Sequence, residues 1–226
     1  MSVIFKFQFS NEPECRAVLI SGIGSTFCQG VDLTVLTYDS ADRQRRSAEN
    51  LAGSIKKLAT FMLSYPKILL AGVNGVARGI GVTLLPFFDV VFASDKATFA
   101  TDYARLGQIP ECFASHSLVA GHLALNEILL FGKTATASEA VRYGLVSSVV
   151  WPDKFLEEIV PRVEALQIMS ASGLNLVKTN MKQSLKKSVT SSVMEEETKL
   201  LIQNWTCPTF AKNVRAHLKT NYFSFQ

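Results

Sequence analysis

Three glycines, Gly75, Gly79 and Gly81, sit in the stretch "VNGVARGIGVTLLPFF" (73–88), directly after the apolar run "KILLAG" and ahead of a second apolar run. A glycine-rich turn from strand to helix commonly serves phosphate, because the first backbone N–H groups of a helix attract negative charge. The spacing here is G-x-x-x-G-x-G, which matches neither the dinucleotide fingerprint nor the triphosphate loop with its lysine. Another anion, or one that develops during a reaction, is the better match. A second stretch of the same kind, "SGIGSTFCQGVDL" (21–33), follows the apolar run "RAVLISG". If the two runs are parallel strands, both loops emerge at the carboxyl edge of the sheet, beside each other, where such folds place ligands. Small residues at Gly30, Gly79 and Gly81 then let a carbonyl oxygen approach backbone donors, with Val31 and Ile80 the expected pair. That arrangement is an oxyanion hole, in which one donor contributes about 2.7–4 kcal/mol to a transition state. Close packing of helix on strand uses glycine equally well, so either loop alone leaves both readings open.

The elements that must position these loops read as α/β, with short apolar runs alternating with longer segments of helical spacing. Residues 16–22, "KILLAGV" and "DVVFAS" read as strands. Between the first two, residues 41–63 form a helical pattern with Leu51, Ile55, Leu58 and Met62 on one face. Arg43, Arg45, Arg46, Lys56 and Lys57 occupy its other, solvated face. "GIGVTLLPFF" reads as a short helix that Pro86 ends or bends. Strand, crossover and strand twice over predicts parallel pairing, buried on both sides. Further on, a helix stops at Gly132, and Thr136 stands three residues before Glu139, a capping-box spacing. From Pro152 onward only helical patterns remain, which suggests a core over 1–151 and a helical region over 152–226. In the latter, Lys178, Lys182 and Lys186 line one face, most simply a solvated one.

With 226 residues, 48% of them hydrophobic, the chain is long enough for one sizeable core. A net charge of +4 without a block of like charge argues against nucleic acid as a partner. Cys15, Cys28, Cys112 and Cys207 form no C-x-x-C pair, and His116, His122 and His217 are not at ligand spacing, so no metal site is expected. Free thiols in a reducing compartment are the simple reading. No apolar run reaches membrane-spanning length, since "VTLLPFFDVVFA" carries Pro86 and Asp89, and no membrane partner is expected. Neither "MSVIFKFQF" nor the terminal "SFQ" supplies a targeting address.

The segment "STFCQGVDL" resembles the F-C-x-G-x-D-L segment of the crotonase (enoyl-CoA hydratase/isomerase) superfamily, and "VNGVARGIG" resembles its N-G-x-A-x-G-x-G segment. "DVVFASDKATFATDYARLGQIPE" and "EILLFGKTATASEAVRYGLVSSVV" extend the resemblance from about Arg16 to the C-terminus. It implies a crotonase spiral of ββα units with a helical C-terminal trimerisation region, hence a homotrimer or hexamer. It also implies an acyl-CoA cleft that includes Gln29, Gly30, Val31, Asp32 and Leu33, and a thioester oxyanion held by the N–H groups of Val31 and Ile80. Coenzyme A is then part of the substrate, and no further cofactor is implied. Thr83 and Tyr103 stand at the positions of the two hydratase glutamates and cannot act as carboxylate bases, which disfavours hydration.

"LGQIPECFAS" resembles instead the L-G-Q-S-P-E-G stretch of peroxisomal-type Δ3,Δ2-enoyl-CoA isomerases, which assigns the catalytic carboxylate to Glu111. Apolar Ile109, Pro110 and Phe113 are expected to raise its pKa. Cys112 replaces the glycine of that stretch and is read as structural, Asp102 as a turn residue, Arg78 as an exposed cation, and His116 and His122 as packing or surface residues. The residues before "RAVLISG" are fewer than the superfamily's opening hairpin and helix require, so the core is expected to be shortened at its N-terminus. "VVWPDKF", and "TNMK" followed by a helix ending at Trp205, are also similar to the C-terminal domain of chromodomain-Y-type corepressors. That domain typically has aspartate in a P-D-G setting where Glu111 stands. The expected function is therefore an enoyl-CoA isomerase of fatty-acid β-oxidation, in a peroxisome or mitochondrion, with a catalytically silent CoA-binding scaffold as the alternative.

Overall fold

A computed structural model describes residues 15–114, 123–151 and 154–222. The expectations for the N-terminal segment, for His116 and His122, and for the join at Pro152 lie outside the described residues. In chain order, β1 (Ala17–Ser21) and β2 (Thr26–Cys28) lead through a 3₁₀ turn (Leu33–Leu36) into α1 (Ala41–Ser64). Strands β3 (Ile68–Val73) and β4 (Val76–Arg78) lead into α2 (Ile80–Thr83) and a 3₁₀ turn (Leu85–Phe87). Next come β5 (Val90–Ser94), β6 (Thr98–Ala100), α3 (Tyr103–Leu106) and α4 (Leu123–Phe131). Strand β7 (Ala135–Thr136), α5 (Ala137–Arg142) and β8 (Ser148–Val150) close the strand-bearing part. Helices α6 (Phe155–Glu164), α7 (Ala171–Met181), α8 (Gln183–Ser188), α9 (Ser191–Trp205) and α10 (Pro208–Tyr222) follow.

The strands fall into two sheets, ordered β1-β3-β5-β8 and β2-β4-β6-β7. Every pairing is parallel except β6 with β7. Each of the first three turns of the chain lays one strand in the first sheet and the next in the second, then crosses back, and β7 and β8 add one strand to each sheet; this is the α/β spiral of ββα units that the resemblance implies. The side chains of β3 alternate as a two-faced strand requires. Leu69, Ala71 and Val73 join the main core, while Leu70, with Phe92 of β5, packs on Phe155 and Ile159 of α6. The expected burial on both sides therefore holds for the middle of this sheet.

Strands β2 and β4 lie inside the stretches that the sequence reads as glycine loops. Three residues are too few to display the alternation that marks a strand, so only their pairing reveals them. Helix α1 is as expected: Ala48, Ala52, Ile55, Ala59 and Met62 are buried along one face, and Leu51 and Leu58 pack against the same core. Pro86 acts as expected, since α2 stops at Thr83 and the chain continues as the 3₁₀ turn containing it. Gly132, at φ +65°, ends α4. Thr136 and Glu139 exchange the two bonds of a capping box. Met194, Leu201 and Trp205 of α9 and Phe210 and Val214 of α10 join the core cluster that α1 builds, so the terminal helices share one interior with the strands.

The lysine face is a correction. Lys178 Nζ donates to Lys67 O and to Asp89 Oδ2, each at 2.6 Å. Lys182 Nζ donates to the carbonyls of Pro86, Phe87 and Phe88 at 3.1, 3.0 and 2.8 Å, and stands 3.6 Å from Asp89. Only Lys186 is exposed. The physical reason is the end of the helical segment that begins at α2: its last carbonyls have no intrahelical partner and, away from water, need donors. Asp89 also accepts from Leu69 N–H at 2.8 Å, so one carboxylate joins two lysines to the start of β3. Breaking a buried ion pair from one side costs about 3–5 kcal/mol, because the remaining charge is left uncompensated. Asp89→Asn, which keeps an acceptor for Leu69 but removes the charge, is expected to lower the unfolding free energy in guanidinium titration by about that amount.

Candidate active site

The pairing of β2 with β4 creates the site. Thr26 lies opposite Val76 and Cys28 opposite Ala77, so the chain leaves both strands at the same edge. After β2 it bends at Gly30, φ +97°, and after β4 at Gly79, φ +52°, conformations that a side chain would strain. The two bends touch: a Cβ on Gly79 would sit 3.7 Å from Gly30 Cα. A Cβ on Gly81 would meet Cys28 Cβ at 2.7 Å, so α2 packs directly on β2. Glycine here serves close packing, and its positive φ at Gly30 and Gly79 keeps the two bends near each other.

Gly79 N–H donates to Ala100 O at 3.1 Å, which leaves the Ile80 N–H as the next donor along α2. Among the described residues, neither the Ile80 nor the Val31 N–H has an acceptor. The picture of two adjacent helix N-termini needs correction at Val31. That residue precedes Asp32, the N-cap of a 3₁₀ turn, and does not open an α-helix. Asp32 accepts from Thr34 N–H at 3.0 Å and from Thr34 Oγ1 at 2.6 Å, so its carboxylate is engaged in the cap and does not line the cleft. Gln29, Gly30, Val31 and Leu33 do line it, opposite Arg78 and Gly79, in an open cavity of about 440 Å³.

Glu111 enters the same cavity from the turn after α3, and is 1% exposed. Its Oε1 accepts from Gln108 Nε2 at 3.1 Å, whereas Oε2 has no partner among the described residues. Burial pushes the carboxyl up to about 7, against partial compensation from Tyr103 and Gln108. The Tyr103 hydroxyl lies beside the carboxyl and 3.8 Å from the place of a Gly79 Cβ, without closing a hydrogen bond to any described group. The Thr83 hydroxyl is likewise buried without a partner among the described residues. The apolar setting expected of Glu111 is thus present, and the two former hydratase positions contribute hydroxyls to it.

The turn itself is unusual. Cys112 and Phe113 both adopt left-handed backbone, φ +61° and +55°, where non-glycine residues are uncommon. Cys112 is wholly buried, which pushes its thiol well above the ordinary range and accords with a structural reading. Phe113 N–H donates to Glu197 Oε1 of α9 at 2.9 Å. Asp102 pairs with Arg78 at 3.1 Å and Arg105 at 3.5 Å, so it is an ion-pair partner at the rim, and Arg78 is less free than an exposed cation. Gln108, Glu197 and His217, which reaches the cleft from α10, were not singled out as site residues from sequence. Gln108 carries a signal in its spacing three before Glu111; Glu197, 84 residues from Phe113, carries none.

Comparison with known proteins agrees with this arrangement. The profile of the enoyl-CoA hydratase/isomerase family matches residues 5–226. Chromodomain Y-like protein 2 of Mus musculus is 34% identical over 195 residues, 85% of this chain and 39% of that protein. Enoyl-CoA delta isomerase 2 of Rattus norvegicus is 33% identical over 205 residues, 90% of this chain and 52% of that protein. Enoyl-CoA delta isomerase 3, peroxisomal, of Mus musculus is 34% identical over 88% of this chain and 63% of its own length. The chain thus spans less than two thirds of each of these relatives. The crystal structure of an enoyl-CoA hydratase/isomerase from Mycobacterium paratuberculosis superposes with a TM-score of 0.80, at 21% identity, over 92% of this chain and 83% of the other. Two backbone donors at touching glycine bends, the spiral that presents them and a match along nearly the whole chain agree: the protein belongs to the enoyl-CoA hydratase/isomerase, or crotonase, family.

Proposed function

We propose that the cleft is the active site of a Δ3,Δ2-enoyl-CoA isomerase of fatty-acid β-oxidation. The observation that carries this reading is a buried carboxyl in the cleft that Gly30, Val31 and Gly79 also line, with one oxygen fixed by Gln108 and the other, Oε2, without a partner among the described residues. Glu111 Oε2 takes a proton from C2 of a 3-enoyl thioester. The electron pair passes into the carbonyl, and the resulting dienolate oxygen is held by the N–H groups of Val31 and Ile80. Glu111 then returns the proton to C4, leaving a 2-enoyl thioester and a regenerated carboxylate. One group acts as base and then acid, which is most effective when its pKa lies near the working pH, and about 7 meets that condition. Gln29, Gly30, Val31 and Leu33 form the wall on which the acyl-CoA lies; the expected wall residue Asp32 is assigned the cap instead.

A second reading, a CoA-binding scaffold without catalysis, is favoured by the likeness to chromodomain Y-like protein 2. One relative, enoyl-CoA delta isomerase 3 of Mus musculus, is a peroxisomal protein by name, which supports that setting for this chain over a mitochondrial one. Exposed Leu123, Phe131, Ile168, Leu176 and Met181 support assembly into a homotrimer or hexamer.

Conversion of 3-enoyl-CoA to 2-trans-enoyl-CoA, followed by the ultraviolet absorbance of the conjugated thioester, tests the isomerase. Glu111→Gln is expected to lower kcat by about 10²–10⁴-fold with acyl-CoA still bound; no turnover by the wild type with CoA bound leaves the scaffold reading.

The same burial has a stability consequence. The Glu111 carboxyl is raised in the folded protein from 4.5 to about 7, so between those values the native state holds a proton that the unfolded chain has released. Its contribution to stability is fully present below the unfolded value and is lost as pH rises through about 7. Glu111→Gln is therefore expected to exceed the wild type in unfolding free energy at pH 8 by about 1–3 kcal/mol, with the difference shrinking toward pH 4.5. Denaturant titrations of both proteins across this range check the sign.

A further inference from the structure

Glu197 is a half-buried carboxyl to which the reaction above gives no task. It stands on α9, in the terminal helices, yet its Oε1 is the acceptor for Phe113 N–H at 2.9 Å, two residues beyond Glu111. That N–H belongs to the second of two consecutive left-handed residues, neither of them glycine. Such residues cost of order 1–3 kcal/mol each and persist only where the surroundings over-determine them. Three constraints do so here. The Cys112 side chain is 0% exposed and the Phe113 side chain 1%, and the N–H between them and α9 is satisfied by Glu197. Packing fixes where the two side chains lie. The hydrogen bond fixes the rotation of the Cys112–Phe113 peptide plane and, through the left-handed Cys112, holds the backbone that carries Glu111, two residues before that N–H.

We propose that Glu197 is a positioning residue for Glu111, holding the Cys112–Phe113 turn so that the unpartnered Oε2 stays in the cleft that Val31 and Gly79 line. The assignment of Glu111 as base rests on the isomerase reading; the mechanical link through the turn does not. The link has an electrostatic side as well. Burial pushes Glu197 up to about 7, and the charge of Glu111 adds to that, so ionisation of either carboxyl opposes ionisation of the other. The other groups facing Glu111 are the Tyr103 hydroxyl from α3, the Gln108 amide, the Cys28 thiol from β2 and the Cys112 thiol of the turn. Arg78, Asp102 and His217 line the same cleft. Of these, only Glu197 is both a carboxyl neighbour and a hydrogen-bond partner of the turn.

Two substitutions separate the roles. Glu197→Gln keeps an oxygen acceptor for Phe113 N–H and removes the ionisable group, whereas Glu197→Leu removes both. In the 3-enoyl-CoA assay, Glu197→Leu is expected to lower kcat by about tenfold or more with KM changed less than about twofold, and Glu197→Gln to restore kcat to within about threefold. Glu197→Gln is also expected to move the midpoint of the kcat–pH profile to lower pH, since a like charge is removed from beside the base. A wild-type kcat in Glu197→Leu overturns the proposal, as does a Glu197→Gln protein that is folded by circular dichroism but as impaired as the leucine variant. Should Glu197→Leu fail to fold, the kcat and midpoint of Glu197→Gln decide. Should the wild type show no isomerisation, the isomerase reading fails by itself. The link is then read from the ¹³C carboxyl shift of Glu111 at low pH, where both carboxyls are protonated, assigned with Glu111→Gln: a shift displaced in Glu197→Leu and restored in Glu197→Gln supports it, and a shift unchanged in Glu197→Leu overturns it.

Discussion

The parallel pairing of β2 with β4 is the constraint on which the cleft depends. The two strands are three residues each, too short to hold together without support, and their backbone bonds matter for where they end. Because they run side by side in the same direction, Gly30 and Gly79 arrive at one edge, close enough that an added Cβ would reach van der Waals contact with the opposite chain. The larger sheet maintains this pairing from outside. The registers of β1 with β3 and β3 with β5 fix where each second strand begins, and the Lys178–Asp89–Lys182 cluster ties the start of β3 to the end of the helical segment that opens at Ile80. The glycine bends at Gly30 and Gly79 are therefore one end of a chain of fixed connections that reaches into α7 and α8.

Charge is distributed around that segment in a consistent way. At its beginning the Ile80 N–H has no acceptor among the described residues, and its end presents carbonyls to a lysine. A cation at a helix C-terminus is stabilising and an anion is favoured at the N-terminus. With four residues in α2 the summed dipole is small, and the local groups at each end dominate. Glu111 stands apart from these charges, in a site whose immediate neighbours are a tyrosine, a glutamine, cysteines and a phenylalanine. The desolvated carboxyl and the Asp102–Arg78 pair line the same cleft, yet burial separates their chemistry.

Much of the fold was legible in the sequence, because long elements announce themselves through period and punctuation. The buried face of α1, the stop at Gly132 and the Thr136–Glu139 box each follow from local spacing. The spacing of Gly30, Gly79 and Gly81 pointed to the donor pair, and the family resemblance pointed to Glu111. What stayed hidden was set by distant contact. Strands β2 and β4 are too short to show a pattern, Asp32 turned to its own cap, and Lys178 and Lys182 face inward because carbonyls 111 or fewer positions away in sequence require them. Periodicity places residues on a face without stating whether that face meets water.

The bond between Phe113 and Glu197 bears also on when the protein becomes complete. It joins residues 84 positions apart, and α9 emerges late during synthesis from the N-terminus. The strands, the glycine bends and Glu111 all precede it, so a nascent chain can pair β2 with β4 while the turn after Glu111 still lacks its acceptor. Non-local contacts of this kind form last, after the loop between them has been closed at an entropic cost. The order of events that follows is a cleft whose glycine bends assemble early and whose Cys112–Phe113 turn gains its acceptor only when α9 docks.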